Sequence, residues 1–154
     1  MNGVVVRMAL MGSGVLIGTI GGALMLVPAK FLEMSHVFVN RDPGLMSELT
    51  APTGVLLITS ALMILGAANL RFANLALAVG AIVYGSYGIG RLFSMLLHGM
   101  PSASLVAAMW IELGIAGLLI TLKLLNSYNA QSTLPFGHPG RPSSAHYATM
   151  ETKL

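Results

Sequence analysis

The sequence predicts an all-α fold, an integral membrane four-helix bundle with a flexible C-terminal tail, and three observations carry that reading. Of 154 residues, 55% are hydrophobic and only 8% are charged, against roughly 25% charged in ordinary soluble domains. The mean hydropathy is +0.81. The apolar residues gather into four runs, at 4–27, 48–68, 72–97 and 103–125, each near the roughly 20 residues that cross a bilayer core. Inside a bilayer every backbone polar group needs a partner within the segment, so such runs fold as helices. Residues 1–125 are predicted to form one transmembrane domain, and 126–154 a polar tail.

The first run follows Arg7 and ends at Val27, Pro28 and Ala29, a pattern that also resembles a signal-peptide cleavage site. The unbroken apolar stretch 8–27 is long for a signal peptide and right for a span, so it is read as the first helix. Gly14, Gly18 and Gly22 recur along it at a spacing of four, which lets membrane helices approach closely. The connection 28–47 is long and polar, carries Lys30, Glu33, His36, Arg41 and Asp42, and has room for a short surface helix. The next two connections, centred on Leu70 and Pro101, are tight. They make the second, third and fourth spans antiparallel neighbours. Ser86 and Gly90, with Ser94 beyond them, repeat the small-residue spacing on the third span and predict helix packing there. Trp110 on the fourth span suits an interface belt. The tail is rich in Ser, Pro, Gly and His and has no apolar periodicity.

Composition excludes several functions. The net charge of +3 is thinly scattered and forms no basic patch, so no nucleic-acid partner is expected. The absence of cysteine removes disulfides, thiolate metal sites and cysteine nucleophiles. His138 and His146 lack metal-ligand spacing. Met95, His98 and Met100 cluster at the end of the third span and are soft ligands of the kind that suits Cu(I), but methionine is also a common flexible apolar filler, which is the reading taken. No metal and no cofactor is predicted. There is no H-E-x-x-H, P-loop or G-x-S-x-G pattern. The glycine-rich run 85–90 lies inside a span with no strand before it, which rules out a phosphate cradle. Four spans put both termini on one side, with Arg7, Arg71, Lys123, Arg141 and Lys153, and leave Lys30 and Arg41 on the other. The positive-inside rule then predicts cytoplasmic termini.

The candidate site starts from Arg91, the one charged residue between positions 73 and 97. A charge at that depth costs roughly 2.5–3.5 kcal/mol on insertion scales and faces a partner or a cavity. In an antiparallel hairpin, residues equidistant from the turn share a height. Arg91 lies ten residues before Pro101 and Glu112 eleven after it. Glu48 lies 22 before Leu70 and Arg91 21 after it. Glu48, Arg91 and Glu112 are therefore expected at one level. Tyr84, Tyr87, Arg91, Ser94 and His98 recur at three and four residues and share one helical face. Two carboxylates against one guanidinium leave one negative charge over. Protonation of one Glu, a charged His98 or a cationic ligand would each balance it.

Glu48 opening the second span, Gly90-Arg91 with Ser94 in the third, Gly99 and Pro101 in the following turn, and Glu112 in the fourth form a sparse motif. On these residues the chain resembles a family of small four-helix bacterial membrane proteins known as a domain of unknown function (number 4345). The likeness covers residues 8–123 and leaves out the tail. This chain departs from the family pattern at Ala51-Pro52-Thr53-Gly54-Val55, where the family has an aromatic and paired glycines, and at His98, where it often has aspartate. The resemblance implies the four-helix fold and a bacterial inner membrane, and no activity.

Two functions fit these residues. The first is a non-catalytic accessory or structural subunit that packs against a larger membrane protein complex or a second copy, surrounded by membrane lipids. The second is a small-ligand, lipid-headgroup or proton-binding protein that uses the buried Glu-Arg-Glu level. A membrane enzyme with Glu112 as base is a weaker third.

Overall fold

The computed structural model describes residues 3–39 and 42–132; Arg41, His138, Arg141, His146 and Lys153 lie outside the described residues. The elements are α1 (Gly3–Leu26), α2 (Pro28–Glu33), α3 (Pro43–Thr50), α4 (Thr53–Ala68), a 3-10 turn (Leu70–Phe72), α5 (Ala73–His98) and α6 (Ala103–Ser132). No strand occurs among the described residues. Four helical segments are long and apolar enough to cross a membrane: Gly3–Leu26, Pro43–Ala68, Leu70–His98 and Ala103–Tyr128.

The long first connection does hold a short helix, α2. Pro28 opens it, at a position where the missing N–H costs nothing. Pro43 opens α3 in the same way, and the Asp42 carboxylate caps it by accepting the Leu45 N–H at 3.0 Å.

Two boundaries differ from those predicted. The second span is not one helix from Glu48 but two, α3 and α4, broken at Ala51 and Pro52. Pro52 has no N–H to return to the Glu48 carbonyl. Threonine hydroxyls on either side of the interruption add bonds to carbonyls before it. Thr50 donates to the Met46 and Ser47 carbonyls at 3.0 and 3.2 Å, and Thr53 donates to the Thr50 carbonyl at 2.6 Å. The fourth helix continues from the predicted end at 125 to Ser132, so the first residues of the predicted tail are helical. Asn126 ties this extension to α5 by donating to the Asn74 side-chain carbonyl at 2.7 Å.

The helices pack as two broad pairs, α1 with α4 and α5 with α6, joined by a narrower α4–α5 face; α1 and α6 barely meet. Leu10, Met63, Leu77 and Leu119 form the sealed centre of the core. The outward faces are apolar too, with Ile58, Ile82, Leu96 and Leu97 at least 70% exposed. A soluble domain rarely exposes so much contiguous apolar surface. Hydrocarbon is its natural solvent.

Small residues set the close approaches, though not all of those predicted. Gly14 and Gly18 lie against Ser60 and Met63 of α4, as the spacing of four predicts. The stripe then passes to Gly21, whose absent Cβ leaves room for the Leu56 Cβ, while Gly22 meets nothing within 4 Å. Four residues overshoot one turn by about 40°, so Gly22 has rotated about 80° from Gly14, whereas Gly21 is only about 20° off. On α5, Ser86 and Gly90 are exposed rather than packed. They lie opposite the buried line of Leu77, Ala81, Tyr84 and Gly88. The packing glycines of α5 are Gly80, against Met63 and Leu119, and Gly88, against Leu113.

Two buried hydrogen bonds cross between helices. The Ser60 hydroxyl donates to the Gly14 carbonyl at 2.7 Å, and the Tyr84 hydroxyl donates to the Ser13 carbonyl at 2.6 Å. Both end on adjacent residues of α1, which ties α4 and α5 to the same turn. Gly99 closes α5 with φ +91° and ψ 179°, a conformation open essentially to glycine alone.

Candidate functional site

The site lies on the halves of α5 and α6 next to their connecting turn. Arg91 sits seven residues before His98, and Glu112 nine after Ala103. At 1.5 Å per residue that is about 10 and 13 Å from the helix ends, so the two side chains meet at one depth. Arg91 is also seven residues beyond Tyr84, two turns on and on nearly the same face. Gly88 lets α5 and α6 come close beneath the pair, because its missing side chain makes room for Leu113.

Arg91 donates its Nε–H to both oxygens of Glu112, at 3.1 and 3.0 Å. The Glu112 side chain is 13% exposed and that of Arg91 35%, so the carboxylate is held inside and the guanidinium faces outward from it. A neutral pair is far cheaper at membrane depth than either charge alone. It is the one salt bridge among the described residues.

Glu48 stands apart. It is exposed on α3 and makes no ion pair or side-chain hydrogen bond among the described residues. It lies before the interruption at Ala51 and Pro52, on an exposed face of α3. The expected trio is a pair, and the predicted surplus negative charge does not arise at Arg91. Tyr84 is buried and structural, bonded to Ser13. Tyr87 is half-buried beside Arg91. Ser94 and His98 share the face but are exposed, because the bundle opens toward the end of α5. The His98 ring contacts only the Ser94 carbonyl, at 3.3 Å, and supplies no charge to the pair.

A cavity of about 260 Å³ lies next to the pair, between α1, α2, α5 and α6. Its deep end carries Tyr84, Tyr87, Arg91 and Glu112. Its walls are mostly apolar, with Ile17, Ile20 and Leu24 from α1 facing Leu105, Ala108 and Ile111 from α6. Phe31 and Leu32 of α2 lie across the end near the membrane surface. The Ser102 hydroxyl holds that end by donating to the Ser35 carbonyl at 2.9 Å. Sequence patterning did not show the cavity, because it exists only where α1 and α6 fail to meet. A hint was available in Pro28, which starts a helix at the level where the chain leaves the bilayer.

On the other side of Arg91 an open groove runs along Ser86, Tyr87, Gly90 and Ser94. Tyr87 and Arg91 line both spaces and form the wall between them.

The model of one protein family, described as "Domain of unknown function (DUF4345)", matches residues 5–123, which include Arg91, Gly99 and Glu112. No curated protein and no solved structure matches the chain. The chain belongs to this family of unknown function.

Proposed function

We propose that this family member is a non-catalytic membrane protein that binds a small amphiphilic ligand in the cavity between α1, α2, α5 and α6. The observation that carries this reading is the cavity itself: mostly apolar walls converging on one ion pair and two tyrosines. Ligand sites generally combine an apolar lining with a few convergent polar groups that set orientation. A pair needed only for helix register has no use for an adjoining empty volume. In a bacterial inner membrane with cytoplasmic termini, the cavity mouth under α2 faces the non-cytoplasmic side. Native mass spectrometry of the protein extracted from its own membrane in mild detergent tests the proposal. A bound molecule of defined mass, lost on filling the cavity by Ala108→Phe, is expected. A bare chain in every preparation overturns it.

A second reading, the accessory subunit, rests on a different observation. Ser86, Gly90 and Ser94 line an open groove on the outer face of α5, where small residues suit close packing of another membrane helix. The same spectra test it, since a stoichiometric larger protein partner is its expected result and a lone chain refutes it.

A further inference from the structure

The chemistry left unused around Arg91 specifies the ligand more closely, on the reading that the cavity is a ligand site. Glu112 engages Arg91 through Nε alone, one N–H shared between two carboxylate oxygens. Neither Nη group has a hydrogen-bond partner among the described residues, and neither does the Tyr87 hydroxyl. No fully buried side-chain nitrogen or oxygen lacks a partner among the described residues. These free groups therefore reach open space rather than packed interior, and Arg91 and Tyr87 border both the cavity and the groove. Guanidinium groups only donate, and a phenol donates readily. In a water-poor interior such donors call for an oxygen acceptor. The free edge of Nη1 and Nη2 presents parallel N–H bonds, the geometry that matches a carboxylate.

The cavity limits the rest of the molecule. About 260 Å³ is below the usual range of roughly 300–1,000 Å³ for drug-sized ligands. At about 30 Å³ per water-sized unit it holds on the order of ten non-hydrogen atoms. That is too little to enclose a two-chain phospholipid. The charged end lies deep, at Arg91 and Glu112, an apolar stretch follows, and Ser35 and Ser104 line the outer end beside Phe31 and Leu32 of α2.

We propose that the cavity binds a short monocarboxylic acid of about eight carbons, or one apolar ring bearing a carboxylate. The carboxylate takes the free Nη edge of Arg91 and the hydroxyl of Tyr87. The hydrocarbon lies between Ile20 and Leu24 of α1 and Leu105 and Ala108 of α6. The ligand supplies the second carboxyl group that the sequence assigned to Glu48, which is exposed on α3 and unpaired among the described residues. Arg91 then lies between two carboxyl groups, one from Glu112 and one from the ligand, which share one proton so that the site keeps one positive and one negative charge.

The test is equilibrium dialysis of radiolabelled octanoate, 1-octanol and octylamine against the whole chain in lipid nanodiscs, with empty nanodiscs as the blank. One octanoate per chain above the blank is expected, bound at least tenfold more tightly than octanol or octylamine. Arg91→Gln should lose that preference, and Arg91→Lys should weaken it severalfold because an ammonium lacks the forked edge. Ala108→Phe fills the cavity while keeping Arg91 in the chain and should abolish octanoate binding even if Arg91→Gln fails to fold. Octanol bound as tightly as octanoate would overturn the carboxylate and leave the amphiphile cavity standing. A preference for octylamine would overturn it too, since Glu112 would then be the recognising group. Failure of all three probes removes the ligand reading itself, and octanoate retained by Ala108→Phe places the site elsewhere.

Discussion

Gly88→Ala should destabilise the bundle where Gly90→Ala, two residues on in the same helix, should not. A Cβ at Gly88 would lie 2.7 Å from the Cγ and Cδ2 of Leu113 and 3.3 Å from its backbone nitrogen. Non-bonded carbons settle at about 3.5–4.0 Å, so α6 or the Leu113 side chain must move by about 1 Å. Cγ is near the root of the side chain and the nitrogen is backbone, so rotation of Leu113 alone does not clear the space. Overpacking of this kind costs about 1–3 kcal/mol. At Gly90 nothing lies within 4 Å. Both glycines are inside α5, so the gain in helix propensity, up to about 1 kcal/mol, is common to both and cancels in the difference. Gly90→Ala should therefore be the more stable variant by about 1–3 kcal/mol. That is about 5- to 150-fold in the unfolding equilibrium, at 1.4 kcal/mol per tenfold. Titration of mixed micelles with sodium dodecyl sulfate, followed by circular dichroism, measures it. Leu113→Ala removes the two closest carbons and should rescue most of the loss in Gly88→Ala. Two variants equal within about 0.5 kcal/mol, or no rescue, would refute the placement of Gly88 as the residue that seats α6 on α5.

Other perturbations separate the elements of the site. Tyr84→Phe removes the 2.6 Å bond to the Ser13 carbonyl and should cost about 0.6 kcal/mol, with about 1.7 as the ceiling for such bonds in membranes; the same titration reads it. A double-mutant cycle of Arg91→Gln with Glu112→Gln should show clear coupling, while Arg91→Gln with Glu48→Gln should show none beyond about 0.5 kcal/mol, the tolerance for independent sites. Coupling to Glu48 would restore the three-residue network. Gly99→Ala should destabilise by about 1–3 kcal/mol because its backbone region is closed to residues with a Cβ. Unchanged stability there would mean that the turn after α5 relaxes freely.

The spans, their number and their antiparallel order were legible in the sequence, because each rests on one-dimensional quantities. Apolar length against bilayer thickness gives a span, and a short connection gives an antiparallel neighbour. Depth is equally one-dimensional: counting out from Pro101 was enough to bring Arg91 and Glu112 to one level. The count to Glu48 gave a height but not a face: Glu48 is exposed on α3 and makes no ion pair among the described residues. Pro52, which divides the span into α3 and α4, stood in plain sight in the sequence, hidden only by the continuity of the apolar run after it.

Rotation about the helix axis was less legible. A spacing of four drifts by about 40° per step, so Gly14 and Gly18 pack while Gly22 does not and Gly21 takes its place. The same drift does not explain Ser86 and Gly90. Their face is decided by which line of α5 the neighbouring helices cover, and that line runs through Leu77, Ala81, Tyr84 and Gly88. The cavity belongs wholly to tertiary structure. It forms because α1 packs on α4 and α6 on α5, leaving α1 and α6 apart with α2 across the gap. The sequence by itself determined how many helices cross the membrane and at what height their charges lie, since length and hydropathy act along the chain. Only the tertiary structure decided which faces meet and what space is left between them, because that depends on how the sides of separate helices fit together.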